Sequence, residues 1–301
     1  MYTPFMRVAA IHDLSGIGRT SLTAVIPIFS SLGIQVCPLP TAVLSTQTSG
    51  YDDFCFVDLS GPMRDFLAHW NKLEMKFDAV YSGFLGSPEQ AQIVADCIAG
   101  CLKAGGIAVV DPVLGDNGKL DPTMSMQMVE SLRWLVTKAD CITPNLTEAA
   151  LLLNEDMPEA AINQREHSIA ASVVKSWLRR LADFGPRYAI ITSVPLKSGQ
   201  RDGSAILAYD KAQSRFWKVD CKYIPAFYPG TGDTFTSALT GFLLQGESLP
   251  VAMDRAAQFV TLGIMVSFGY NLPTREGIIL EKVLPALRVP LLSCVYELLE
   301  E

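Results

Sequence analysis

Histidine is scarce, with three in 301 residues, and only 18% of the chain is charged. Lys and Arg number 24 against 31 Asp and Glu, a formal net charge of −7. The basic excess that nucleic acid or an anionic membrane surface demands is therefore missing, although a local phosphate pocket is not excluded. No run reaches the roughly 18 consecutive apolar residues of a membrane span. Residues 1–6 lack a basic stretch leading into an apolar one, so no secretory signal is expected. The seven cysteines are odd in number and scattered. Cys97 and Cys101 lie four apart, with no second pair and no nearby histidine, which reads as buried thiols rather than a metal site. That usage suits a reducing cytosol. No linker, repeat or low-complexity tract divides the chain, and 1–301 is read as one domain. Hydrophobic residues make up 49%, enough for a large core and too many for extended disorder.

Short β-rich runs alternate with amphipathic helical patterns. Residues 7–12, 34–40, 79–83, 107–111, 139–143 and 188–193 read as strands. Several are almost wholly apolar, as in a parallel sheet covered on both faces. The segment 88–103 reads as a helix, with Ser87 as N-cap, Pro88 at its first position and Gln90 placed for a capping box. Strand–helix repetition with right-handed crossovers implies a doubly wound, mostly parallel α/β sheet with helices on both faces. Residues 204–209 and 215–220 read as an antiparallel hairpin at one sheet edge. Two long helices are expected near 233–245 and 251–268, and mobile loops at 116–123 and 196–203.

Pro229-Gly-Thr-Gly-Asp-Thr-Phe235 stands directly ahead of a helix whose apolar face is Phe235, Ala238, Leu239, Phe242 and Leu243. Gly230 and Gly232 leave backbone N–H groups unobstructed, and at a helix N-terminus such donors bind anionic oxygens. Asp233 then sits beside a phosphate site with a carboxylate able to take a proton. The alternative is a tight glycine turn with Asp233 as an ordinary N-cap. Asn145 and Glu148 in Thr143-Pro-Asn-Leu-Thr-Glu148 have capping-box spacing, which needs no ligand. Asp111-Pro-Val-Leu-Gly-Asp116 ends a strand at the edge where ligands of open α/β sheets gather. Thr192 and Ser193 end another strand. His12-Asp-Leu-Ser-Gly-Ile-Gly-Arg-Thr-Ser21 fails as a dinucleotide fingerprint: the third glycine is absent, and Pro38-Leu-Pro40 brings no acid for a ribose.

In order and spacing, these segments resemble the ribokinase superfamily, and within it the pyridoxal kinases, over residues 8 to 287. The resemblance implies an ATP- and Mg²⁺-dependent transfer of the γ-phosphoryl group to the 5′-hydroxymethyl of a vitamin B6 vitamer. It gives Gly230, Thr231 and Gly232 the role of anion hole and Asp233 that of base. An aspartate at a helix N-terminus is expected to be a weak base, which a loose transition state tolerates. The resemblance places Asp111, Asn145, Glu148, Thr192, Ser193, Thr231 and Gly232 around the nucleotide. Asp111, Asp116, Thr143 and Glu148 fall near the cation, with K⁺ or Na⁺ as a further candidate cofactor.

On the acceptor side the resemblance implies Asp13, Thr48 and Phe84, with Asp233 beside them. Asp13 stands where the family carries serine, and its carboxylate suits a protonated ring nitrogen, an aminomethyl group or an aminopyrimidine. Gln47 replaces a family histidine in Leu44-Ser-Thr-Gln-Thr-Ser-Gly-Tyr51. Phe84 in Ser82-Gly-Phe-Leu-Gly86 suits stacking on a flat ring or plain core packing. Phe227 and Tyr228 suit either flanking an adenine or, as the favoured reading, core packing, and His69 and His167 are expected on polar helical surfaces. A cytoplasmic homodimer without nucleic-acid or membrane partners is implied. The rival readings are a hydroxymethylpyrimidine kinase, a sugar kinase (disfavoured by the lack of an extra β-lid) and a non-catalytic vitamer-binding protein.

Overall fold

The computed structural model describes residues 5–163, 167–196, 203–222, 224–289 and 293–300; residues 197–202 of the expected 196–203 loop lie outside them. Twelve strands occur among the described residues. They are β1 (Arg7–Ser15), β2 (Gln35–Leu44), β3 (Phe56–Asp58), β4 (Phe77–Ser82), β5 (Leu102–Val110), β6 (Gly115–Asp116), β7 (Lys119–Leu120), β8 (Cys141–Ile142), β9 (Tyr188–Val194), β10 (Ser204–Asp210), β11 (Arg215–Cys221) and β12 (Tyr296–Leu299). The helices are α1 (Ser21–Ser31), α2 (Ser60–Lys72), α3 (Pro88–Cys101), α4 (Met126–Val136), α5 (Leu146–Leu153), α6 (Glu159–Ile162), α7 (Ala171–Asp183), α8 (Thr231–Leu244), α9 (Leu249–Tyr270) and α10 (Leu280–Val283).

Ten strands form one sheet in the order β12-β11-β10-β9-β8-β5-β4-β1-β2-β3. From β9 to β2 every pairing is parallel, and both flanks are antiparallel. Helices cover both faces because the central strands are apolar on both. One core joins Ile11, Val80, Val110 and Ile142 to side chains of α2 to α7. The other joins Ala10, Tyr81, Val109 and Ile190 to α1, α8, α9 and α10. The fold is thus the expected doubly wound, mostly parallel sheet with helices on both faces.

Several local expectations are corrected. The β10–β11 hairpin is antiparallel as expected, but β12 pairs outside β11 and forms the edge. Ser87 does cap α3, yet without a side-chain bond, and Gln90 does not return to it. The Gln90 amide is buried and instead ties Thr41 O, Asp58, Ser60 and Gly86 N together, since a fully buried amide needs more partners than a cap offers. The 116–123 loop contains the β6–β7 hairpin, turned by Asn117 and Gly118 at φ 51° and 72°. His69 and His167 are exposed, but His167 lies outside any helix. Helix α9 has the length and hydropathy of a membrane span, yet half of it is buried, and its Asp254, 0% exposed, accepts from Gln258 and from Val295 N. It packs as a core helix against α8 and β11.

Candidate active site

The carboxyl ends of β1, β4, β5, β8 and β9 open into a cavity of about 450 Å³ whose wall also includes the N-terminus of α8. Every residue singled out from the sequence for catalysis, nucleotide, metal or acceptor lines it.

Helix α8 is capped by Gly230, not by Asp233. Gly230 has φ +80°, and a Cβ there would lie 2.2 Å from Arg19 O, so conformation and packing both demand glycine. Gly232 differs: a Cβ would meet only Asp111 Oδ2, at 4.0 Å. Its missing side chain leaves open space above the first-turn N–H groups, which have no acceptor within the helix. Thr231 Oγ1 donates to Tyr228 O and fastens the turn.

Asp233, at the third helical position, turns away from its own helix. Its Oδ2 accepts from Ser21 N (2.8 Å) at the start of α1, so two helix N-termini converge on one carboxylate. Helix dipoles alone would make it a weak base, as expected from sequence. Burial wins instead, with help from the Asp13 charge, and raises the carboxyl to about 7. Its side chain is 13% exposed.

Asp111, just after β5, and Glu148, in the first turn of α5, are each 5% exposed. Burial raises Asp111 to about 8, with the Asp233 charge adding to it; burial and then the Asp111 charge hold Glu148 well above the carboxylate range. Thr236 Oγ1 donates to Thr143 Oγ1 (3.0 Å) and reaches Asp111 Oδ2 at 3.4 Å. The capping box at Asn145 and Glu148 forms as expected. Glu148 also accepts from Leu114 N, while Asn145 Nδ2 donates to Gly115 O, so the pair fixes the 111–116 loop to α5. Asp116 is partly buried, and its carboxyl is raised by that burial. Thr192 N donates to Pro144 O, and Ser193 sits at φ 55°. Phe227 is 57% exposed at the cavity wall rather than in the core, whereas Tyr228 is buried.

Among the described residues no group of three or more His, Cys, Asp or Glu is arranged to hold a metal by itself. The donor set still fits Mg²⁺. Asp111 and Glu148 are buried acids, the Asp111 charge adding to the rise of Glu148, and they have hydroxyl and N–H partners but no cationic one among the hydrogen bonds and ion pairs described. Mg²⁺ takes few protein carboxylates and completes its shell with phosphate oxygens and water.

In β1, Asp13 is 5% exposed and accepts from Ser15 Oγ (2.9 Å); burial raises its carboxyl. Phe84 packs one side on the core, as one of its two expectations had it, and also lines the cavity. Thr48 is carried by a loop that Gln47 holds: Gln47 N donates to Ile17 O, and its amide reaches Arg275 O and clasps Ser49.

Two residues given no role from the sequence stand against the Asp233 carboxylate. Ser21 N–H orients it, and His12, 0% exposed, places Nδ1 3.8 Å from Asp233 Oδ1. His12 was visible only as the start of a loop motif, because its role depends on contacts with α8 and β4.

The chain matches the family model described as phosphomethylpyrimidine kinase over residues 20–276. A Bacteroides thetaiotaomicron protein named as a phosphomethylpyrimidine kinase and crystallised with pyridoxal is 52% identical. That match covers 98% of this chain and 100% of that one, with a TM-score of 0.92. The pyridoxal kinase of Lactobacillus plantarum is 30% identical, covers 94% and 96% of the two chains, and has a TM-score of 0.82. The hydroxymethylpyrimidine/phosphomethylpyrimidine kinase of Streptomyces coelicolor is 32% identical over 191 residues, 63% of this chain and 64% of that relative.

Proposed function

This chain belongs to the phosphomethylpyrimidine kinase family, as a pyridoxal kinase-like member of the ribokinase superfamily, and from that premise we propose that it phosphorylates the 5′-hydroxymethyl of a B6 vitamer with ATP. Family membership makes it a kinase of the pyridoxal or hydroxymethylpyrimidine type; the vitamer is the finer reading. One observation carries it. Asp233 stands between the open N-terminus of α8 and an acceptor pocket bounded by Asp13, Thr48 and Phe84, all in one cavity.

In this reading the acceptor's hydroxymethyl lies against Asp233 and its ring against Phe84. Asp233 takes the hydroxyl proton as the acceptor oxygen bonds to the γ-phosphorus and the bond to the β-bridging oxygen breaks, releasing ADP. N–H groups of the Gly230–Thr231–Gly232 turn face the charge that builds on the transferred group. Asp111, Asp116, Thr143 and Glu148 would hold Mg²⁺, which when bound supplies positive charge to the nucleotide phosphates. Asn145, Thr192 and Ser193 border the nucleotide.

The second reading, transfer to a hydroxymethylpyrimidine, is supported by the family match and by the Streptomyces coelicolor relative. Asp13 bears on it, since a buried carboxylate with hydroxyl and backbone partners but no cationic one favours an acceptor that brings a proton or positive charge. ADP release should be measured with pyridoxal, pyridoxamine, pyridoxine and 4-amino-5-hydroxymethyl-2-methylpyrimidine, for the wild type and Asp13→Ser. The expected result is a higher kcat/KM for a B6 vitamer, with pyridoxamine losing most in Asp13→Ser. A clear preference for the pyrimidine overturns the vitamer, and no ADP release with any acceptor overturns the kinase.

A further inference from the structure

His12 is fully buried, and neither ring nitrogen has a hydrogen-bond partner. Unpaired buried polar atoms are uncommon and costly, so a histidine left this way calls for a reason. Its surroundings fix the ring in place. The edge of Tyr81 packs against it with ring centroids 4.3 Å apart. Gly83 closes the other side: a Cβ there would lie 2.3 Å from His12 Nδ1 and 2.4 Å from Cε1. Gly83 N donates to Ile11 O at 3.0 Å, so that backbone cannot easily retreat. The sequence is therefore glycine where the ring needs the space, and the ring presents Nδ1 to Asp233 Oδ1 at 3.8 Å. Burial keeps the imidazole neutral, at about 3, so it carries one N–H to give.

We propose that His12, as the neutral Nδ1–H tautomer, donates to Asp233 Oδ1 and is a positioning residue for the carboxylate that receives the acceptor's proton. Ser21 N–H already holds Oδ2, so the two donors fix the carboxylate plane from both sides and leave the remaining Oδ1 lone pair for the acceptor hydroxyl. The 3.8 Å separation closes to hydrogen-bond distance when substrate fills the cavity, as catalytic contacts that are long in the free enzyme commonly do. His12 keeps its proton throughout; the acceptor's proton goes to Asp233. The proposal rests on the assignment of Asp233 as base, and its tests separate the two.

Two substitutions read the donor against the packing. His12→Phe keeps a flat ring and removes both nitrogens; His12→Asn loses volume but keeps an N–H near the Nδ1 position. Loss of a hydrogen bond to a charged group lowers kcat by about 10- to 100-fold for His12→Phe, with KM for ATP within about twofold of wild type. His12→Asn should retain more kcat than His12→Phe, although a packing role requires the opposite order. Gly83→Ala, which displaces the ring, should match His12→Phe. Wild-type kcat in His12→Phe, or a lower kcat in His12→Asn than in His12→Phe, overturns the proposal. Should the variants not fold, ¹⁵N NMR of the wild type decides: an Nδ1–H imidazole supports it, and an Nε2–H tautomer with bare Nδ1 overturns it. If Asp233→Asn retained full activity while the Nδ1–H signal were present, the base assignment would fail and the contact would stand as structural.

Discussion

Asp233 shows how position overrides type. A carboxylate at the start of a helix is ordinarily acidic, yet burial, helped by the Asp13 charge, pushes this one up to about 7. A base needs its deprotonated form, so kcat/KM should climb with pH up to roughly neutrality and then level off. Asp233→Asn should lower kcat by about 10²–10⁴-fold while a non-hydrolysable ATP analogue still binds in calorimetry. The two glycines beside it make a contrasting pair. Gly230→Ala must accept φ +80° and a clash with Arg19 O, and should lose about 1–3 kcal/mol in urea unfolding. Gly232→Ala meets no such contact; it should melt like the wild type and still lose activity at least about tenfold, because the new methyl enters the space proposed for the transferred phosphoryl group.

At the scale of elements, the central strands were readable because burial on both faces leaves little but apolar residues. The 7–12, 79–83 and 188–193 readings sit within a few residues of β1, β4 and β9. Strands β3 and β12 escaped notice: they have three and four residues, lie at edges, and keep exposed side chains. Capping was legible at Asn145, where the motif and the site ask for the same bonds, and illegible at Gln90, where partners from β2 and the start of α2 outbid the local one. The candidate site residues could be listed from motifs, since each ends or follows a strand or opens a helix. What joins them could not, because Ser21, His12 and Gln47 act through partners distant in the chain. Glu148 illustrates a cap that does two jobs. Glu148→Ala strands the N–H groups of Leu114 and Asn145 and should cost about 1–3 kcal/mol by urea unfolding, with a raised KM for ATP.

For the molecule as a whole, the acids of the cavity oppose folding. Asp13, Asp111, Asp116, Glu148 and Asp233 are all raised, chiefly by burial. Unfolded, they lose their protons near the ordinary carboxylate values of 3.8 and 4.5, whereas burial makes Asp233 and Asp111 hold theirs to about 7 and 8. Between those limits the native state binds more protons, so stability is highest below the unfolded values and falls as pH rises. In metal-free buffer Tm should drop from pH 5 to pH 8. Added Mg²⁺ should restore it at pH 8, and Asp111→Asn should flatten both responses. The bond from Ser21 to Asp233 has a consequence in time. It spans 212 positions, so the first helical turn of the chain aims a group that is made only near its far end. Activity therefore cannot appear in any half-built form. During refolding, helical signal should return first and turnover last, when those two distant turns finally meet.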